Sequence, residues 1–200
     1  MVDWKKARGE AFTQAAEMEK LIPGYSYETP ETCQRTDERV CQFLNGGLSA
    51  AKKLLYNVSD LLFSLQLAEG LLDKFQDARE EVDVLGDEVK VHHCTWKPIP
   101  HEFLVRLIRH DASLAQRVHR LNLTVEILFN GILAETKKGR QRKSLPVGFW
   151  RQVEDALREV RQETREIGIL FRERHAIASI TPLHLERSYE DIVQGIRRSG

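Results

Sequence analysis

Between His101 and Thr136, apolar residues return at steps of three and four, through Leu104, Leu107, Leu114, Val118, Leu121, Val125, Leu128 and Ile132. Proline is absent from this run, and its single glycine is Gly131. Such spacing puts one apolar stripe along an α-helix. At 1.5 Å rise per residue this helix would be roughly 50 Å long, and only other long helices can cover a stripe of that length. The pattern therefore predicts an all-α fold: a single-domain bundle of four long, mostly antiparallel helices plus a short C-terminal helix.

The other elements follow from the same periodicity and from caps. A first helix is predicted over residues 3 to 21, with Asp3 as cap and Phe12, Ala16 and Leu21 among its apolar positions, ending at Pro23-Gly24. After the linker Tyr25 to Glu28, Thr29-Pro30-Glu31 reads as a helix start, because threonine caps and proline fits a first turn whose N–H groups lack helical partners. Gly46-Gly47 marks a kink or a close crossing within that helix. Leu55, Val58, Leu62, Leu65 and Leu72, widened by Leu61, Leu71 and Phe75, predict one helix over residues 48 to 83, antiparallel to 101 to 136. Gly86 to Pro100 reads as an irregular crossover, with a brief extended piece at Val89-Lys90-Val91. Pro146 opens a further long helix with Phe149, Val153, Leu157, Val160, Ile167, Leu170 and Phe171, and Thr181-Pro182 starts the short terminal one.

Length and composition narrow the class. Two hundred residues, 42% of them apolar, suffice for one core, so residues 1 to 200 are expected to form one domain, either a whole protein or a domain excised from a longer chain. Lysine and arginine number 30, as do aspartate and glutamate, so no global field draws the chain to nucleic acid or an anionic membrane. The start MVDWKKARGE lacks a signal peptide's apolar core, and the odd count of cysteines (Cys33, Cys41, Cys94) fits a reducing compartment. An intracellular, cytoplasmic protein is expected, with a nuclear one as the variant. Cys33 and Cys41 lie about 12 Å apart along a helix, beyond disulfide reach, and are expected to be half-buried packing residues. Asn57-Val-Ser59 and Asn122-Leu-Thr124 match the glycosylation sequon but fall within predicted helices.

Candidate chemistry is sparse. His92, His93, Cys94 and His101 offer zinc-type donors, yet three adjacent residues in extended backbone point to alternating sides, and the pairwise spacing of a structural zinc site is missing. The sequence has no Glu-x-x-His pair for a di-iron bundle, no phosphate loop, no dinucleotide fingerprint and no nucleophile elbow. Arg106, Arg109, His110, Asp111, Arg117, His119 and Arg120 on the long helix read as a solvated charged face. No cofactor, metal or catalytic residue is assigned, and enzyme activity is not the favoured reading.

Two charge runs stand out. Lys137, Lys138, Arg140, Arg142 and Lys143 place five basic residues in seven, suited to contacts with phosphates or an acidic partner, and Ser144 follows as a candidate phosphorylation site. Asp73 to Lys90 holds seven acidic and three basic residues, and is expected to form an acidic corner at the bundle end opposite the basic turn. The sequence thus favours a non-enzymatic protein–protein interaction or scaffold module, coiled-coil-like, whose partner surfaces are its charged ends and the charged face from Arg158 to Arg174. A protein partner, self-association included, is expected. Nucleic-acid association through the 137 to 143 turn is the alternative, and a membrane-active bundle using Leu54 to Leu72 is a further one.

Overall fold

The computed structural model describes residues 15–64, 69–91, 101–139 and 147–178. They form α1 (15–21, the end of the first helix), α2 (Pro30–Ser64), α3 (Glu69–Lys90), α4 (His101–Gly139) and α5 (Val147–Ala178). Among the described residues there is no strand, and contacts of α2 with α3, α4 with α5 and α2 with α4 make the fold a helical bundle, as the periodicity predicts. Residues 3–14 of the expected first helix and the expected short helix after Thr181 lie outside the described residues.

Local chemistry explains the first boundaries. Gly24 adopts φ +75°, a left-handed conformation that glycine enters without a Cβ penalty, and it turns the chain out of α1. Its hydrogen also leaves space for Arg39, whose Nη1 would lie 2.0 Å from a Cβ there and which donates to the Pro23 carbonyl at 2.6 Å. Thr29 caps α2 as expected. The Thr32 amide donates to Thr29 Oγ1 at 3.2 Å, and the Thr29 amide donates back to Thr32 Oγ1 at 2.9 Å, a reciprocal cap with threonine in the usual glutamate position.

The described residues pack as two compact units, one drawn from Met1–Leu44, Val89–Gln116 and Ile167–Gly200, the other from Asn45–Glu88 and Arg117–Glu166. The first has Val40, Leu44, Leu107, Leu114, Ile167 and Phe171 among its buried residues; the second has Leu55, Phe75, Val82, Leu121, Val125 and Leu157. Each such side chain contributes about 1.5–3 kcal/mol relative to exposure, so burial is what holds helices this long together.

Two predicted elements need correction. Residues 48 to 83 are not one helix: α2 ends at Ser64, α3 begins at Glu69, and the two lie antiparallel within the second unit. Lys52 bonds Asp83, and Arg79 stacks over the Tyr56 ring at 5.5 Å. The buried positions record the reversal. They run 48, 51, 55, 58, 62 in α2 and resume at 71, 75, 78, 82 in α3. Nine residues separate 62 from 71, half a turn out of phase on a continuous helix, so one helix could not bury both sets. The second correction concerns Gly86 to Pro100. α3 continues through Gly86 to Lys90, because Val82, Leu85 and Val89 keep a buried helical stripe that overrides the short alternation at 89–91.

Gly47 accounts for the predicted close crossing. A Cβ there would stand 2.2 Å from Val118 Cγ1 of α4, and Asn122 Nδ2 donates to the Gly47 carbonyl at 3.1 Å. Around Gly46 nothing lies within 4 Å of the corresponding position.

Candidate functional site

The strongest concentration of chemistry lies inside the first unit, around Arg174 of α5. This side chain is 0% exposed, and its neighbours Asp37 of α2 and Asp111 of α4 are 4% and 1% exposed. Arg174 donates from Nε to Asp111 Oδ1, from Nη1 to Asp37 Oδ1 and from Nη2 to Tyr27 OH, the last at 3.0 Å. Two phenols complete the shell: Tyr25 and Tyr27 both donate to Asp111 Oδ2, at 2.7 and 2.6 Å. Their rings meet edge to face at 5.2 Å. Between them, the Ser26 amide donates to Thr36 Oγ1 at 3.0 Å, and Thr36 Oγ1 donates to the Ser26 carbonyl at 2.7 Å. Three consecutive linker residues are thereby tied to α2 and α4.

Burial makes this arrangement demanding. An ion removed from water must be paired and hydrogen-bonded to persist. Burial alone would lower the Arg174 pKa, yet Asp111 foremost, with Tyr27 and Asp37, holds it well above the ordinary arginine value. Burial, joined by the Asp111 carboxylate, pushes both tyrosine pKa values well above the usual phenol range. The cluster holds one cation against two carboxylates, and the two phenol O–H groups help offset the uncompensated negative charge. Because Arg174 and Asp111 are sealed from solvent, the cluster fixes three helices and the linker rather than presenting a reacting group. Beside it, His110 Nδ1 stands 3.9 Å from Glu173 Oε2.

A second set of charges joins α3 to α5 in the other unit. Arg161 donates to Glu81 at 2.7 and 2.9 Å and to Asp77 at 3.4 Å, and Arg165 donates to Glu81 at 2.8 Å. Partial burial would raise the Glu81 pKa, but the two arginines outweigh it and hold the carboxyl below its ordinary range. Across α4, Arg117 bonds both oxygens of the buried Glu163 at 3.0 Å, and Arg120 reaches it at 3.3 Å.

These contacts revise several readings. The face from Arg158 to Arg174 is not uniformly solvated: Glu163, Glu173 and Arg174 are buried. The acidic run is a helix rather than a corner, and its Asp77, Glu81 and Asp83 carry ion pairs. Among the basic residues assigned to partner contacts, Lys137 is exposed near the end of α4, and Lys138 is helical. The Lys138 side chain lies outside the described residues, as do Arg140, Arg142 and Lys143. His92, His93 and Cys94 are also outside them, while His101 begins α4. Cys33 is buried, which pushes its thiol pKa up, and Cys41 is partly buried. Among the described residues, no helix is long and apolar enough to cross a membrane.

The Arg174 cluster was legible as a phase relation. The α4 stripe jumps from Leu107 to Leu114, and the slot between is Asp111. On α5, Phe171 is followed by Arg174 and Ala178, and on α2, Cys33 is followed by Asp37 and Val40, at the same three-and-four steps. Three charges of mixed sign therefore occupy core slots.

On the outside of the second unit, α4 presents Leu123 (46% exposed) and Ile127 (63%) one turn apart. His119, Arg120 and Glu126 are exposed beside them. Compared with protein-family models, curated proteins and solved structures, the chain matches none of them.

Proposed function

We propose that this chain is a non-enzymatic protein-interaction module, and that the outer face of α4 around Leu123 and Ile127 is its docking surface. The observation that carries this reading is the contrast between inward charge and outward apolar residues. Arg174, Asp37, Asp111 and Glu163 are spent on sealed or partly sealed ion pairs, while Leu123 and Ile127 face water on a helix whose opposite side is fully buried. Two large aliphatic side chains at i and i+4, bordered by charges of both signs, form a stripe that another helix can cover.

A photo-crosslinking amino acid at Ile127, introduced into the protein and exposed to an extract of its own cells, tests this reading. A discrete protein adduct is expected at that position, abolished by Leu123→Glu and absent when the crosslinker replaces Asp155, which is exposed on α5. Adducts equal at both positions, or adducts to nucleic acid alone, would overturn the reading; the latter would favour the run of basic residues from Lys137 to Lys143.

A further inference from the structure

Resting on the reading of the α4 face as a docking surface, we propose that its occupant is a second copy of this chain. The two copies dock through an antiparallel α4–α4 pair with its two-fold axis at Leu123. Such a pairing is isologous: each residue meets the one equally far on the other side of the axis. Leu123 then meets Leu123, Arg120 meets Glu126, and His119 meets Ile127.

Any helical face returns onto itself under this operation, so geometry alone favours nothing. The chemistry does. Arg120 and Glu126 carry opposite charges and stand three residues to either side of Leu123, so one two-fold contact creates two Arg–Glu pairs. A parallel in-register pair would instead set Arg120 against Arg120 and Glu126 against Glu126. The Leu123 contact lies between the two ion pairs, and the imidazole of His119 covers the aliphatic Ile127, removing from water two large apolar side chains that α4 leaves exposed.

Arg120 is suited to bridging. Its side chain is 60% exposed, and it uses Nη1 to bond Glu163 of its own chain, one of five donors on a guanidinium. Glu163 is held independently by Arg117 at 3.0 Å, so the inner pair persists if Arg120 turns toward a partner. One helix-on-helix contact belongs to the small class of interfaces, below ~1,200 Å² in total, which are weak and transient. The dimer is accordingly one that forms at high local concentration.

Sedimentation equilibrium tests this on the wild-type chain and on two single variants, Arg120→Glu and Glu126→Arg, each first shown by circular dichroism to keep its helix content and melting temperature. From about 10 µM to about 1 mM, which brackets a weak association of roughly −4 to −7 kcal/mol, the wild-type mass is expected to rise from monomer toward dimer. Each variant alone places like charges opposite each other and is expected to associate about tenfold or more weakly. An equimolar mixture of the two turns every like-charge contact into an opposite-charge one and is expected to regain association, which loss of folding cannot mimic. A wild-type chain that stays monomeric, or a mixture no better than its components, overturns the proposal. If the wild type stays monomeric while the crosslinker at Ile127 captures a different protein, the two-fold pairing fails and the docking surface stands. If neither occurs, both fail.

Discussion

At the scale of single residues, the strongest constraint is that Arg174 has no solvent to retreat to. Its guanidinium divides its donors among Asp111, Asp37 and Tyr27, and each acceptor sits on a different part of the chain. Arg174→Met keeps much of the side-chain volume but strands two carboxylates in the core. Breaking one side of a buried ion pair costs about 3–5 kcal/mol, and urea unfolding of this variant is expected to show a loss of that size. Adding Asp111→Asn to it is expected to restore part of the loss, because one stranded charge is removed; a double variant at least as unstable as the single one would show that the charges are not what couples them. Arg174→Lys is expected to be destabilising too, since a single ammonium cannot reproduce the planar fork that meets three acceptors. Local spacing does not reveal the cluster directly, because a charge on a helix is most often a mark of solvent. The positions were nevertheless encoded, as Asp37, Asp111 and Arg174 each fall where the three-and-four spacing calls for an apolar residue.

At the scale of elements, the sequence announced helices more reliably than it announced where one turned into the next. Thr29 and the stripes of α4 and α5 carried their message in local spacing, and those elements formed as expected. The α2–α3 reversal was hidden because leucine is abundant on both sides of it, so a broad apolar face and two half-turn-shifted faces look alike until burial is known. Gly46-Gly47 is a similar case. Two adjacent glycines carry the same conformational signal, but only Gly47 lies against another helix. Gly47→Ala would drive a methyl into Val118, whose branched Cβ leaves little rotameric freedom, and is expected to destabilise by about 1–3 kcal/mol. Gly46→Ala meets nothing within 4 Å and is expected to stabilise by about 0.5–1 kcal/mol through reduced unfolded-state entropy. Thermal melting of the two single variants checks the pair, and shifts of the same sign would contradict the crossing.

At the scale of the whole molecule, equal numbers of acidic and basic residues leave no global field, and the folded chain uses its charges locally, in groups that respond to pH in opposite directions. Tyr25 and Tyr27 have pKa values raised in the folded state above the ordinary 10.0. Their contribution is fully present below pH 10 and is lost above it, as the unfolded chain releases phenolic protons that the folded chain keeps. Each such proton changes stability by about 1.4 kcal/mol per pH unit. Glu81 works the other way. Its folded pKa lies below the ordinary 4.5, so its contribution is present above that value and is lost as the pH falls through the folded pKa, where the unfolded chain takes up the proton first. Urea unfolding across pH is therefore expected to give a plateau bounded by an acid limb starting near pH 4.5 and an alkaline limb starting near pH 10. Glu81→Gln is expected to lower the plateau by about 1 kcal/mol, the worth of a partly exposed ion pair, and to make the acid limb shallower, so that its curve meets that of the wild type at the acid end. Tyr25→Phe is expected to leave the acid limb unchanged and to make the alkaline limb shallower, because one fewer phenol distinguishes the folded from the unfolded chain. If both variants merely lowered the curve by a constant at every pH, the ion pairs would be packing contacts whose charge state does not matter.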